Sequence, residues 1–126
     1  MRLRRRGCAP VPNAYPAGMN VDRPGAIAVI FLSTRTGLDE AGYAAANARM
    51  EALATEQPGY LGMESARGED GLGVTISYWA DDAAALSWRD HPEHAAVRDQ
   101  GRGHWYSWYR TDVARLERSY EWRRPA

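Results

Sequence analysis

The chain is expected to fold as one α+β domain with the element order β-α-β-β-α-β. Three observations carry that expectation. A β-branched apolar run, AIAVIFLSTR from Ala26 to Arg35, precedes a helical stretch that stops at Pro58-Gly59. Two alternating runs, YLGMESAR and LGVTISYWA, are joined by GEDG. A second helical region then leads into the aromatic stretch HWYSWYRTDVARLERSYEW. A length of 126 residues suits one small domain.

Each element follows from local chemistry. The first run is apolar at nearly every position, as in a strand largely buried on both faces. In TGLDEAGYAAANARMEALATEQPG, Thr36 with Asp39 resembles a capping box in which Asp replaces the usual Glu. Tyr43, Ala46, Met50, Leu53 and Gln57 recur at helical spacing, so one helix face packs on a sheet. Asp70-Gly71 between alternating runs is a hairpin signal. In the second run Leu72, Val74, Ile76 and Tyr78 share one face, and Thr75, Ser77 and Trp79 the other.

In DDAAALSWRDHPEHAAVRDQG, Asp81 and Asp82 suit a helix N-terminus. Pro92 removes a backbone donor, so the helix is expected to break into a piece ending near Arg89 and another from Pro92 to Gln100. The final aromatic stretch reads as a long strand with room for a bulge. Alternation along it makes one member of each adjacent Trp/Tyr pair structural and leaves the other to a ligand. This order is the split βαβ, or ferredoxin-like, arrangement, in which both helices cover one face of a four-stranded antiparallel sheet. Bulky residues on both strand faces make a bare second face unfavourable, which predicts a homodimer joined sheet to sheet.

Composition narrows function. Sixteen basic and sixteen acidic residues balance, which gives no general attraction to nucleic acid or to a membrane surface. One cysteine, Cys8, excludes an internal disulfide and a multi-thiolate zinc site. No apolar run approaches the ~18 residues of a membrane span, and a cytoplasmic location is expected. Residues 1–25 are basic and proline-rich without hydrophobic period, and read as a flexible extension. Residues 26–120 form the domain and 121–126 a tail. GRG and GEDGLG lack the context of phosphate loops. Arg115, Glu117 and Arg118 alternate along the late strand and are expected at dimer contacts.

Four separated segments carry a family resemblance: AVIFLSTRT, RMEALATEQPGYLGMESAR, GVTISYWADDAAALSWRDHPEH and GRGHWYSWYRTDVARLER. In that order they resemble the antibiotic biosynthesis monooxygenase family of the dimeric α+β barrel superfamily. The resemblance implies a ferredoxin-like protomer, a homodimer and a pocket between helices and sheet. Activity does not follow, because the superfamily hosts several chemistries and proteins with no known reaction.

The residues themselves narrow the chemistry. His91 and His94, with Asp90 or Glu93, offer nitrogen and oxygen donors, but Pro92 disturbs their geometry and no metal is expected. The resemblance to haem-degrading members implies an asparagine on the first strand, a tryptophan on the second helix and a ligating histidine beyond it. Trp88 matches the tryptophan, the first strand has no asparagine, and Arg98 stands near the histidine position. Cofactor-free oxygenation of a phenol or anthrone-like polyketide by O2 asks for less: a dry aromatic pocket, a proton acceptor and a donor near the developing anion. Trp79, Trp88, Trp105 and Tyr106 supply walls, His94 the base, and Arg102, Tyr109 or Ser77 an oxyanion partner. Each also has a structural role open to it: core packing for Trp79 and Trp105, a backbone bond for His94, helix capping for Arg102. The sequence thus supports a cofactor-independent monooxygenase acting on a small aromatic substrate. Its alternative is a non-catalytic homodimer that binds a small molecule or haem.

Overall fold

The computed structural model describes residues 24–126, so the expected N-terminal extension lies almost wholly outside the described residues. The elements are β1 (Ile27–Arg35), α1 (Glu40–Thr55), β2 (Tyr60–Arg67), β3 (Leu72–Trp79), α2 (Asp82–Arg89), α3 (Pro92–Gln100), a π-helical turn (Gly101–Trp105) and β4 (Tyr106–Arg115). The strands form one antiparallel sheet in the order β2-β3-β1-β4. This is the ferredoxin-like arrangement expected from the element order.

Local signals explain most boundaries. Asp39 alone caps α1, its Oδ1 accepting from Gly42 N at 3.1 Å. Thr36 does not close the expected capping box. Its hydroxyl accepts from Leu38 N and donates to the carbonyl of His104, tying the β1–α1 loop to the π turn. Pro92 occupies the first turn of α3, where its missing N–H costs nothing, and His91 Nδ1 accepts from Glu93 N as the cap. Gly59 takes φ 82, and a Cβ there would lie 2.6 Å from the Ala84 Cβ, so this corner admits only glycine.

Register assigns the two faces. Ile27 pairs with Trp79, Val29 with Ser77 and with Val113, and Phe31 with Thr75 and with Thr111. These side chains point toward the helices. Ile27, Trp79, Leu53, Ala54, Ala85 and Trp88 form the buried core between sheet and helices. The opposite face carries Ile30, Leu32, Val74, Ile76 and Tyr78, flanked by Glu64, Arg110 and Asp112, with no layer over it among the described residues, and Trp108 is exposed at its edge.

The last strand is shorter than expected at both ends, stopping at Arg115 before Tyr120 and Trp122, and it carries the bulge the sequence left room for. His104 and Trp105 belong to the π turn and not to the strand. The register of β4 against β1 slips between Thr34 and Arg35, so that Thr34 opposes Trp108 while Arg35 opposes Tyr106. This bulge places Tyr106 and Tyr109, three residues apart, on the same helix-facing side. Trp108 and Tyr109 do point to opposite faces, as alternation requires.

Trp79 is fully buried, with its Nε1 donating to Ser77 Oγ at 2.9 Å. Its replacement by alanine is expected to destabilise the fold by ~3–5 kcal/mol through lost burial and a residual cavity. Urea unfolding of Trp79→Ala beside the unaltered chain measures this, and a loss below ~1 kcal/mol would show that the core does not centre on this indole.

Candidate functional site

A cleft of about 640 Å³ lies between the helices and the sheet. Val29, Phe31, Met50 and Met63 supply apolar lining from the sheet and α1. Seven of the residues singled out in the sequence reach it: Ser77, Trp88, His94, Arg102, Trp105, Tyr106 and Tyr109. Trp79 does not, because it is wholly enclosed in the core behind Trp88.

At one end Trp88 organises the site. Its indole stacks on Trp79 with centroids 5.8 Å apart, and on the His94 imidazole with centroids 4.3 Å apart and planes 11° from parallel. Its carbonyl lies 2.9 Å from His94 Nδ1. A carbonyl oxygen only accepts, so Nδ1 carries the proton and, in the neutral ring, Nε2 holds the free lone pair. Burial pushes the His94 pKa below the ordinary histidine value, and the nearby Arg98 and His91 act in the same direction against the Trp88 carbonyl. His94 therefore combines the structural backbone bond and the uncharged base in one residue.

The other end is an aromatic cage. Phe31 meets Tyr106 and Tyr109 at 5.4 and 5.3 Å between centroids, and Tyr43 meets Trp105 and Tyr106 at 6.0 Å each. Trp105 is anchored from the π turn by Nε1 donating to Asp39 Oδ2 at 3.2 Å. Gly101 makes room for the cage, since a Cβ there would sit 2.7 Å from the Tyr106 ring. Burial, and then the neighbouring Tyr43, push the Tyr106 pKa well up, so its hydroxyl stays protonated. Arg102 Nε donates to the Tyr109 hydroxyl at 2.6 Å, a charge-assisted bond that directs the hydroxyl's own hydrogen away from the arginine.

Sequence reading placed Tyr43 only on the sheet-packing face of α1, and it passed over Asn47, Val97 and Phe31 as lining residues. The helical spacing of Tyr43 and Met50 was visible, but which face of the sheet lay under them was not. Arg98 also lines the cleft and donates Nη1 to the carbonyl of Arg89 at 3.3 Å. His91 is turned to capping α3, and among the described residues no group of three or more His, Cys, Asp or Glu side chains is arranged to hold a metal ion. No described helix is long and apolar enough to cross a membrane.

A ferredoxin-like sheet with an aromatic cleft beneath its helices defines a class of small α+β proteins. Residues 26–100 match the antibiotic biosynthesis monooxygenase family, and the chain belongs to that family. It is 46% identical over 91 residues to the uncharacterised protein YqjZ of Bacillus subtilis, covering 72% of this chain and 79% of that one. The fold is similar to SnoaB, a cofactor-independent oxygenase from Streptomyces nogalater, with TM-score 0.65, 18% identity, and 75% and 96% of the two chains covered. It is also similar to Rv0793 from Mycobacterium tuberculosis, with TM-score 0.65, 16% identity, and 75% and 99% covered.

A buried imidazole with a lowered pKa binds its proton at lower pH than the same group in the unfolded chain. Between the two values the native state holds fewer protons, so stability rises with pH there and is lost on acidification. His94→Gln is expected to flatten that part of the stability profile below about pH 6.5, the ordinary histidine value. Urea midpoints measured across the acid range give the comparison, and parallel curves would mean that His94 titrates as if exposed.

Proposed function

We propose that the protein is a cofactor-independent monooxygenase that oxidises a small, electron-rich aromatic substrate, of anthrone or dihydroquinone type, with O2. The observation that carries this reading is His94: a neutral base with a fixed tautomer, stacked on Trp88 and lining an aromatic cleft. Membership of the family and the similarity to SnoaB in fold support it.

The chemistry needs only substrate, oxygen and this set of side chains. With an anthrone, His94 Nε2 removes a proton from the acidic ring methylene, and the cleft's apolar floor keeps water from competing. The resulting carbanion, delocalised onto the ring oxygen, passes an electron to O2. The radical pair then joins to form a carbon–oxygen bond. The proton held by His94 returns to the distal peroxide oxygen. Loss of the second methylene proton with cleavage of the O–O bond leaves a carbonyl and one water. The Tyr106 hydroxyl and the Arg102–Tyr109 pair are placed at the cage end of the cleft, where they donate to the ring oxygen as negative charge develops. Trp88 and Trp105 serve as walls, and Ser77 as a second polar contact on the sheet.

The bare sheet face makes this protein a homodimer in the same proposal. Half-buried Ile30, Leu32, Val74, Ile76 and Tyr78 gain a partner when two sheets stack about 10 Å apart. A location in the cytoplasm accords with this reading.

The expected result is oxygen uptake above background with an anthrone or dihydroquinone panel under air, with His94→Ala reduced by ~10²-fold or more. Because the His94 pKa lies below the ordinary value, kcat is expected to hold its plateau down through neutral pH and to fall only in acid. Uptake equal in the unaltered and His94→Ala proteins would sink the base assignment. The backbone bond of His94 also favours a second reading, a binder without turnover. Saturable tryptophan quenching with no oxygen uptake would establish it, and a Soret shift on haem titration would make haem its ligand. Light scattering on the eluting protein checks the dimer, and a monomer at micromolar concentration would overturn it.

A further inference from the structure

We propose that residues 117–126 form an arm that crosses to a second copy of the chain and closes the mouth of that copy's cleft, with Tyr120 and Trp122 as its anchors. This rests on the sheet-to-sheet dimer proposed above.

The arm begins where the sheet ends. Leu116 still exchanges backbone bonds with the start of β1, donating to the Ala26 carbonyl at 2.9 Å and accepting from Gly25 N at 2.8 Å. Beyond it the chain runs without helix, strand or turn. Tyr120 and Trp122 are 87% and 73% exposed. Arg123 donates to Glu121, and the Arg124 guanidinium lies over the Trp122 ring. Two large aromatic side chains held in water are a strong mark of an interface, since Tyr and Trp are favoured anchors of buried contacts.

The pattern of the arm fits an extended segment that docks by one face. Leu116, Arg118, Tyr120 and Trp122 fall on one side of a two-residue alternation, with Arg118 the one charged residue among them, and Glu117, Ser119, Glu121 and Arg123 fall on the other. The matching apolar surface is the cleft's own rim. Leu86 on α2 and Val113 on β4 line the cleft and are 48% and 61% exposed. Each cleft thus has an uncovered greasy lip, and each chain has an uncovered greasy arm.

Connectivity selects the second copy over the same copy. Arg115, at the base of the arm, is tied to Asp82 at 2.7 Å, and Asp82 itself lines the cleft. To reach its own rim the arm would have to reverse at once. Between Leu116 and Trp122 there is no glycine, proline, asparagine or aspartate, and Ser119, a weaker turn former, is the one residue there that favours a reversal. Reach is sufficient to cross: ten extended residues span about 33 Å, against about 10 Å between stacked sheets and a helix layer of similar depth.

The test places single cysteines in the full chain carrying Cys8→Ser. One tagged variant carries Leu86→Cys and a differently tagged one Tyr120→Cys, which keeps Trp122 as anchor. Val113→Cys and Arg124→Cys replace them should either fail to fold. Co-expressed and oxidised, the pair is expected to give a disulfide-linked heterodimer as the main product on a non-reducing gel. Ser119→Cys, on the other side of the arm, is expected to give little. No heterodimer above the Ser119→Cys level would overturn the arm. So would a linked monomer from a single chain carrying both Leu86→Cys and Tyr120→Cys, which would put the arm on its own cleft. Light scattering of the unaltered chain separates the two failures: a dimer without the cross-link refutes the arm alone, and a monomer refutes the dimer beneath it.

Discussion

The stack of Trp79, Trp88 and His94 is the constraint on which the rest of this structure depends. One indole belongs to β3, the next to α2, and the imidazole to α3, so three successive elements share one column of flat rings. The column does two things at once. It closes the apolar core, since Trp79 is wholly enclosed and Trp88 nearly so. It also defines the electrical state of the residue at its open end, because the same packing that excludes water from His94 disfavours its charged form. Stability and the proposed chemistry therefore draw on the same contacts.

The second determinant is a local irregularity. A regular β4 would send Tyr106 and Tyr109 to opposite faces of the sheet. The slip of register beside Arg35 brings both to the helix side, against Phe31. The π turn just before it is held to the β1–α1 loop by Thr36 and by the Arg35 side chain, which donates to the carbonyl of Trp105 and lies 3.4 Å over the Tyr43 ring. Two departures from regular structure thus build the cage that regular structure would have dispersed. Such departures concentrate where a site must re-aim side chains.

The two faces of the sheet serve different ends. The helix side carries the core and the cleft, with mixed apolar and polar side chains. The other side carries Ile30, Leu32, Val74 and Ile76 along β1 and β3, flanked by Glu64 on β2 and by Trp108, Arg110 and Asp112 on β4. That division separates the site from the sheet surface on which two copies are proposed to meet. Family membership fits this plan without deciding the reaction, because a shared fold carries many chemistries and the site residues must be argued one by one.

Much of the fold was legible in sequence because its signals are local. The β-branched run of β1, Pro92 splitting the second helical region and the Asp-Gly hairpin all act within a few residues of themselves. The division of β3 into two faces was also readable, since alternation needs no partner, but which face met the helices was not. The gathering of His94, Trp105, Tyr106 and Tyr109 around one space was only partly visible. Their residue types marked a site, but the bulge that turns two tyrosines the same way arises from pairing with a strand some seventy residues earlier. The role of Tyr43 was hidden for a similar reason: its place on α1 was clear, and the rings it meets were not. Trp79 and Trp88 look alike in sequence, and tertiary packing alone made one of them core and the other a wall. Local propensity and period depend on neighbours along the chain, whereas a cleft depends on which distant surfaces meet.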